Sequence, residues 1–199
     1  MTTKKSVAAK NKNSKNSKNS KGSGAKTIKV TVNKKGEMKK WQKVLLCIGL
    51  ILLPIVLGSI ITLFTIDAQE AFSKFEQPPL APPAWLFPVA WTILYALMGL
   101  ASYFFIVYKP KNDGEKILKR AEIVIYFVQL AVNLVWTLIF FNLDAKYFAF
   151  GWLVAMWLMI VALVVMACKN SKPAMWCLIP YLLWTTFAGY LNIMIAVLN

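Results

Sequence analysis

Five stretches of roughly 20 residues carry no charged side chain: Val44 to Ile66, Trp85 to Tyr108, Ile123 to Phe141, Tyr147 to Cys168 and Ala174 to Leu198. As a helix, a run of that length crosses a hydrocarbon core of about 30 Å. Backbone groups facing lipid must be satisfied within their own segment, so helices are the economical form, and the even alternation of a porin strand is absent. With 58% hydrophobic and 16% charged residues, the 199-residue chain is too apolar for an ordinary soluble domain. The sequence therefore predicts an all-α integral membrane protein, a bundle of five transmembrane helices over residues 44–199.

The 43 residues ahead of Val44 are a different material. They hold 14 of the 23 basic residues and only one acid, Glu37, and Asn-Ser-Lys repeats from Asn13 to Lys21. Such a segment buries too little apolar surface to offset its chain entropy, so residues 1–43 are expected to be a disordered basic tail. No arginine or aromatic residue precedes Trp41, which argues against a nucleic-acid partner. Anionic lipid headgroups are the expected partner, at about 1 kcal/mol per lysine near the surface. No small-residue cleavage site follows the first apolar run, so it reads as a retained span and not a signal peptide. The tail and the second and fourth loops carry 21 basic residues, whereas the first and third loops have only Lys74 and Lys146. By the positive-inside rule this predicts a multi-pass protein of the cytoplasmic membrane, N-terminus in the cytoplasm and C-terminus outside. The first loop, Asp67 to Ala84, then faces outward as the longest connection between spans, and long loops serve as lids as readily as linkers.

Within the spans the informative chemistry is what is missing. There is no histidine, and Cys47, Cys168 and Cys177 are isolated, so ordinary ligands assemble neither a zinc site nor a His-ligated haem. Carboxylates and lysines are absent from the middle of every span, with Glu122 and Asp144 at the ends, which removes the usual proton relay of a pump. No nucleophile with a base, paired carboxylate or phosphate loop is identifiable. The expectation is a protein with no metal and no required cofactor.

What remains is neutral polar and aromatic groups at helical intervals. Gln129, Asn133 and Trp136 share one face of the third span, Trp91 and Tyr95 one face of the second, and Tyr181, Trp184, Ala188 and Asn192 one stripe of the fifth. Each stripe taken singly is explained by interhelical packing with amides as glue. Together with the mouth Pro78 to Tyr95, which packs five prolines and two tryptophans onto an apolar run, they read as the lining of a pocket for a flat, apolar ligand with a few polar edges. Pro82 and Pro83 suit a helix entrance, and Pro88 just inside predicts a wedge or kink.

The run PPLAPPAWLFPVAWTILYALMGLA, the pattern Gln129-x3-Asn133-x2-Trp136-x3-Phe140-Phe141, and PYLLWTTFAGYLN from Pro180 to Asn192 resemble the tryptophan-rich sensory protein or translocator protein family (TspO/MBR), in the family's order and spacing. The resemblance covers about Val44 to Asn199 and not the basic tail. It implies a five-helix bundle, usually dimeric, with a cleft capped by the first loop. It further implies binding of porphyrins such as protoporphyrin IX and of haem, with cholesterol in animal members. For some bacterial members it implies light-driven porphyrin degradation, so that an enzyme remains the alternative to a binding protein, with a porphyrin or sterol transporter as a third reading.

By the same resemblance Trp91 and Trp184 match the two pocket tryptophans linked to porphyrin binding and degradation, and are the candidate catalytic residues should there be an enzyme. Tyr95, Asn133, Trp136 and Ala188 match further ligand-binding positions. Phe72, Phe75, Pro78, Pro79, Pro82 and Pro83 fall in the lid loop. That loop departs from the pattern, with Ala71-Phe72 where many members have Trp-Tyr, and Leu80 in place of a common tryptophan.

Overall fold

The computed structural model describes residues 38–65 and 68–199; the predicted disorder of the basic tail up to residue 37 lies outside the described residues. Those described form helices α1 (Lys40–Phe64), α2 (Ala68–Lys74), α3 (Leu86–Val107), α4 (Asp113–Thr137), α5 (Lys146–Asn170) and α6 (Lys172–Leu198), with one π-helical turn, Leu138–Asn142, continuing α4. All but α2 are long and apolar enough to cross a membrane, α4 together with its π turn counting as one span.

Two helices start earlier than the charge-free runs suggest. α1 begins at Lys40, so its first turn is basic. α4 begins at Asp113, where Asn112 Oδ1 accepts the Glu115 N–H at 2.8 Å and caps the first turn. Consequently Lys116, Lys119 and Arg120 lie on a helix and not in a loop. Glu122, expected at a span's end, lies well inside α4 and is fully buried, with Asn170 Nδ2 donating to both its oxygens at 3.4 Å. Lys119 Nζ nearby caps the end of α3 by donating to the carbonyls of Ile106 and Tyr108, each at 2.7 Å. Pro88 stands third in α3, where its missing N–H is one that no helix bonds, so the ring costs no ladder bond.

The main helix packings run α1 with α3, α3 with α6, α6 with α5 and α5 with α4, and a smaller contact from α4 to α1 closes the ring. α6 thus sits between two helices that precede it in the chain. Without a hydrophobic force between helices in lipid, close approach decides such pairings. At α1 and α3 the approach is explicit. Pro54, inside α1, cannot bond the carbonyl of Leu50, and that carbonyl lies against Gly99 of α3. A Cβ on Gly99 would stand 2.3 Å from the Leu50 oxygen, so only glycine fits there. Further in, Met98, Ala101, Phe105, Tyr126, Leu130, Met156, Ile160, Leu178 and Tyr181 form the buried core.

Candidate functional site

A cavity of about 410 Å³ opens at the end of the bundle where α1 ends and α3 begins, within the 300–1,000 Å³ common for small-molecule sites. Of the six sequence-predicted ligand positions, Trp91, Tyr95, Trp136, Trp184 and Ala188 line it, and so does Phe72 of the first loop. Asn133 does not. It is 2% exposed and works from behind the wall: the Tyr95 hydroxyl donates to its Oδ1 at 3.1 Å, and its Nδ2 donates to the Tyr181 hydroxyl at 2.8 Å. Tyr181 in turn donates to Gln129 Oε1 at 2.9 Å. This chain crosses α3, α4 and α6 in an apolar interior, where each unmade bond is costly, and so fixes the Tyr95 ring as the cavity floor.

The other side is held in the same manner. Trp136 Nε1 donates to Asn192 Oδ1 at 3.2 Å, and Asn192 Nδ2 donates to the Lys146 carbonyl at 2.8 Å, so the third-span indole is locked to α6 and the start of α5. Phe140 then stacks on Trp136 with centroids 5.3 Å apart and planes at 22°. Trp136 and Phe140 stand at i, i+4 across the start of the π turn, and Phe140 and Phe141 within it both line the cavity. Trp91 lies 5.5 Å from Tyr95 and meets Tyr181 edge-on at 6.4 Å. Trp184 meets Phe87 edge-on at 6.0 Å, and Phe87 meets Phe72 at 4.7 Å. The interior is therefore bounded on several sides by aromatic rings. Among the described residues Trp184 Nε1 is one of three buried side-chain polar atoms without a hydrogen-bond partner, with Tyr126 OH and Gln129 Nε2.

The first loop lies at the mouth. Within it α2 turns Phe72 inward until it is 6% exposed, and Phe75 meets Phe140 edge-on at 6.1 Å while Lys146 Nζ stands 4.8 Å over its ring. Pro78 is buried and Pro82 half-buried, whereas Pro79 and Pro83 are exposed. The loop is anchored to α6: the Tyr190 hydroxyl donates to the Pro79 carbonyl at 2.7 Å, and Asn199 both accepts the Glu76 N–H at 2.8 Å and donates to its carbonyl at 3.3 Å. Leu80 turns the chain with φ 68°, an uncommon conformation for a side chain of its size, and its side chain is exposed. On α2, the hydrogen bond and charge of Lys74 hold the Glu70 carboxyl below its ordinary range.

α1 supplies a wall that the sequence reading left out. Gly58 and Thr62 stand at i and i+4 along it and Thr65 at its C-cap, and all three line the cavity. Gly58 admits the Tyr95 ring, whose Cε2 would lie 2.3 Å from a Cβ there. That small and hydroxyl-bearing stripe was the available signal. Among the described residues no three of Cys, Asp and Glu gather as a metal site. The cavity can therefore offer π-faces, methyl groups and a few hydroxyls, a surface that grips by shape and stacking.

The sequence profile of the TspO/MBR family matches residues 50–198, nearly all of the bundle just described. The chain belongs to the TspO/MBR family. Among its relatives, the tryptophan-rich protein TspO of Chlorobaculum tepidum is 36% identical over 155 residues, covering 77% of this chain and 94% of the relative. The protein of the same name from Archaeoglobus fulgidus is 31% identical over 157 residues, covering 78% and 98%. The translocator protein of Bos taurus is 31% identical over 150 residues, covering 73% and 85%. All of these similarities leave part of the chain uncovered, and the family profile begins only at residue 50, past the basic tail. As a TspO/MBR member with five spanning helices, it is a multi-pass membrane protein.

Proposed function

We propose that this TspO/MBR protein binds a tetrapyrrole, protoporphyrin IX or haem, in the aromatic cavity, as part of tetrapyrrole sensing or stress regulation. The observation that carries the reading is the arrangement of Trp91, Trp136, Trp184, Tyr95 and Phe140 around one cavity of about 410 Å³. A flat conjugated macrocycle gains most from such walls, because it presents a large face to several rings at once. The hydroxyls of Thr62, Thr65 and Thr137 line the cavity, and the first two, which donate to the Gly58 and Ile61 carbonyls, still offer acceptor oxygens to the macrocycle's polar edges. The same reading includes a homodimer in the cytoplasmic membrane, N-terminus inside, with the tail on anionic headgroups.

The test is a titration of the purified protein with protoporphyrin IX and, separately, haem, followed by tryptophan quenching in detergent. Saturable quenching at one ligand per chain is expected, and linear, non-saturating quenching would refute the assignment. Illuminating the complex and analysing the products separates a binding protein from the degradative alternative, which draws on the same two indoles, Trp91 and Trp184.

A further inference from the structure

We propose that the ligand of this cavity passes between bilayer and interior through a lateral portal between α3 and α6, closed by the indole of Trp184. The proposal rests on the binding reading above and adds the route. On the outer surface, where α3 and α6 meet, lies a shallow groove bordered by Ala90, Ile93 and Leu94 on one side and Pro180, Leu183 and Phe187 on the other. Its lining is almost wholly carbon, which suits a molecule dissolved in lipid. Trp184 borders this groove and the internal cavity alike, and it is the one residue the two linings share.

Packing alone, with no hydrogen bond, holds that side chain. The indoles of Trp136, Trp152 and Trp157 each donate a hydrogen bond, to Asn192 at 3.2 Å, the Val132 carbonyl at 2.8 Å and Thr186 at 2.8 Å. Trp184 Nε1 is buried and donates to nothing, so swinging this ring breaks no hydrogen bond. Edge contacts with Phe87 and Phe187, both at 6.0 Å, and apolar packing against the buried core oppose the motion. Pro180, one turn before Trp184, lacks the N–H that would bond the Trp176 carbonyl, which loosens α6 beside the groove. Across from it Ala90 leaves room.

The route over the top compares poorly. To lift the first loop, the bonds from Tyr190 to Pro79 and between Asn199 and Glu76 must break, and the buried Phe72 and Pro78 must leave their seats. The lateral path costs none of these contacts.

A portal sets rates and not equilibrium, which gives the test. Ala90 borders the groove but not the cavity, so Ala90→Trp plugs the outside and leaves the binding walls intact. The measurement is stopped-flow tryptophan quenching after mixing proteoliposomes with phosphatidylcholine vesicles that carry protoporphyrin IX. Ala90→Trp is expected to slow uptake and release alike by at least tenfold, leaving Kd within twofold. Should that variant misfold, Ala90→Cys in a background lacking the three native cysteines, blocked with a bulky maleimide after folding, makes the same plug. The loop control, Asn199→Ala, should leave both rates within twofold. Saturable binding with rates indifferent to the plug, or exchange accelerated tenfold by Asn199→Ala, would overturn the portal alone. Absence of saturable binding in the unmodified protein would overturn the binding reading, and the portal with it.

Discussion

Asn133 is worth more behind the wall than it would be in the cavity, and a double-mutant cycle with Tyr95 measures by how much. Asn133→Leu keeps the volume but removes two bonds, the acceptance from Tyr95 at 3.1 Å and the donation to Tyr181 at 2.8 Å. Tyr181 keeps its bond to Gln129, whereas the Tyr95 hydroxyl loses its acceptor. Interhelical hydrogen bonds in a bilayer contribute about 0.6 kcal/mol on average and at most about 1.7, while a stranded buried donor adds about 1 to 3 kcal/mol. The sum predicted for Asn133→Leu is about 2 kcal/mol. Tyr95→Phe leaves only an amide oxygen unpaired and should cost about 1 kcal/mol. Because Tyr95→Phe also removes the hydroxyl that Asn133→Leu strands, the double variant should cost only about 1 kcal/mol, for a coupling of about 2 kcal/mol. The assay is reversible unfolding in mixed micelles, followed by circular dichroism across the four proteins. Additive losses, with coupling under about 0.3 kcal/mol, would refute the claim that Asn133 holds Tyr95 in place.

The remaining predictions are briefer. Gly99→Ala forces a Cβ against the Leu50 carbonyl and should cost about 1 to 3 kcal/mol by overpacking the α1–α3 contact, and unchanged stability by the same unfolding assay would show that contact to be loose. Deleting residues 1–37 should leave porphyrin affinity within about twofold, under about 0.5 kcal/mol; a tenfold loss in the same titration would place the tail in the site. A cysteine added after Asn199, in a background lacking Cys47, Cys168 and Cys177, should be labelled by an impermeant reagent from outside the cell, and labelling only from the cytoplasmic side would reverse the topology.

Much of this bundle is legible in the chain because lipid imposes a simple rule, and the charge-free runs report it. The pairs Trp91 with Tyr95 and Gln129 with Asn133 are legible for a similar reason, since one helix's period places them on one face. Two kinds of feature escape that logic. α1 is apolar but for a short stripe of small and hydroxyl-bearing residues, and that Gly58, Thr62 and Thr65 of that stripe face a cavity depends on where α3 crosses it. Whether Asn133 touches the ligand or the wall likewise depends on Tyr181, a residue 48 positions away. By contrast, the start of α4 was readable: Asn112 followed three residues later by Glu115 is a capping signature, overshadowed by the lysines after it.

The central claim is that Trp91 and Trp184 grip a macrocycle, and a porphyrin titration of wild type, Trp91→Ala, Trp184→Ala and Trp157→Ala tests it most directly. Trp157 is the control, because its indole donates to Thr186 and does not line the cavity. Each pocket substitution should cost roughly 1 to 3 kcal/mol, or about five- to 150-fold in Kd, while the folded Trp157→Ala protein binds as wild type does. Equal affinities in all four proteins would contradict the account, leaving the tryptophans as packing and interface residues.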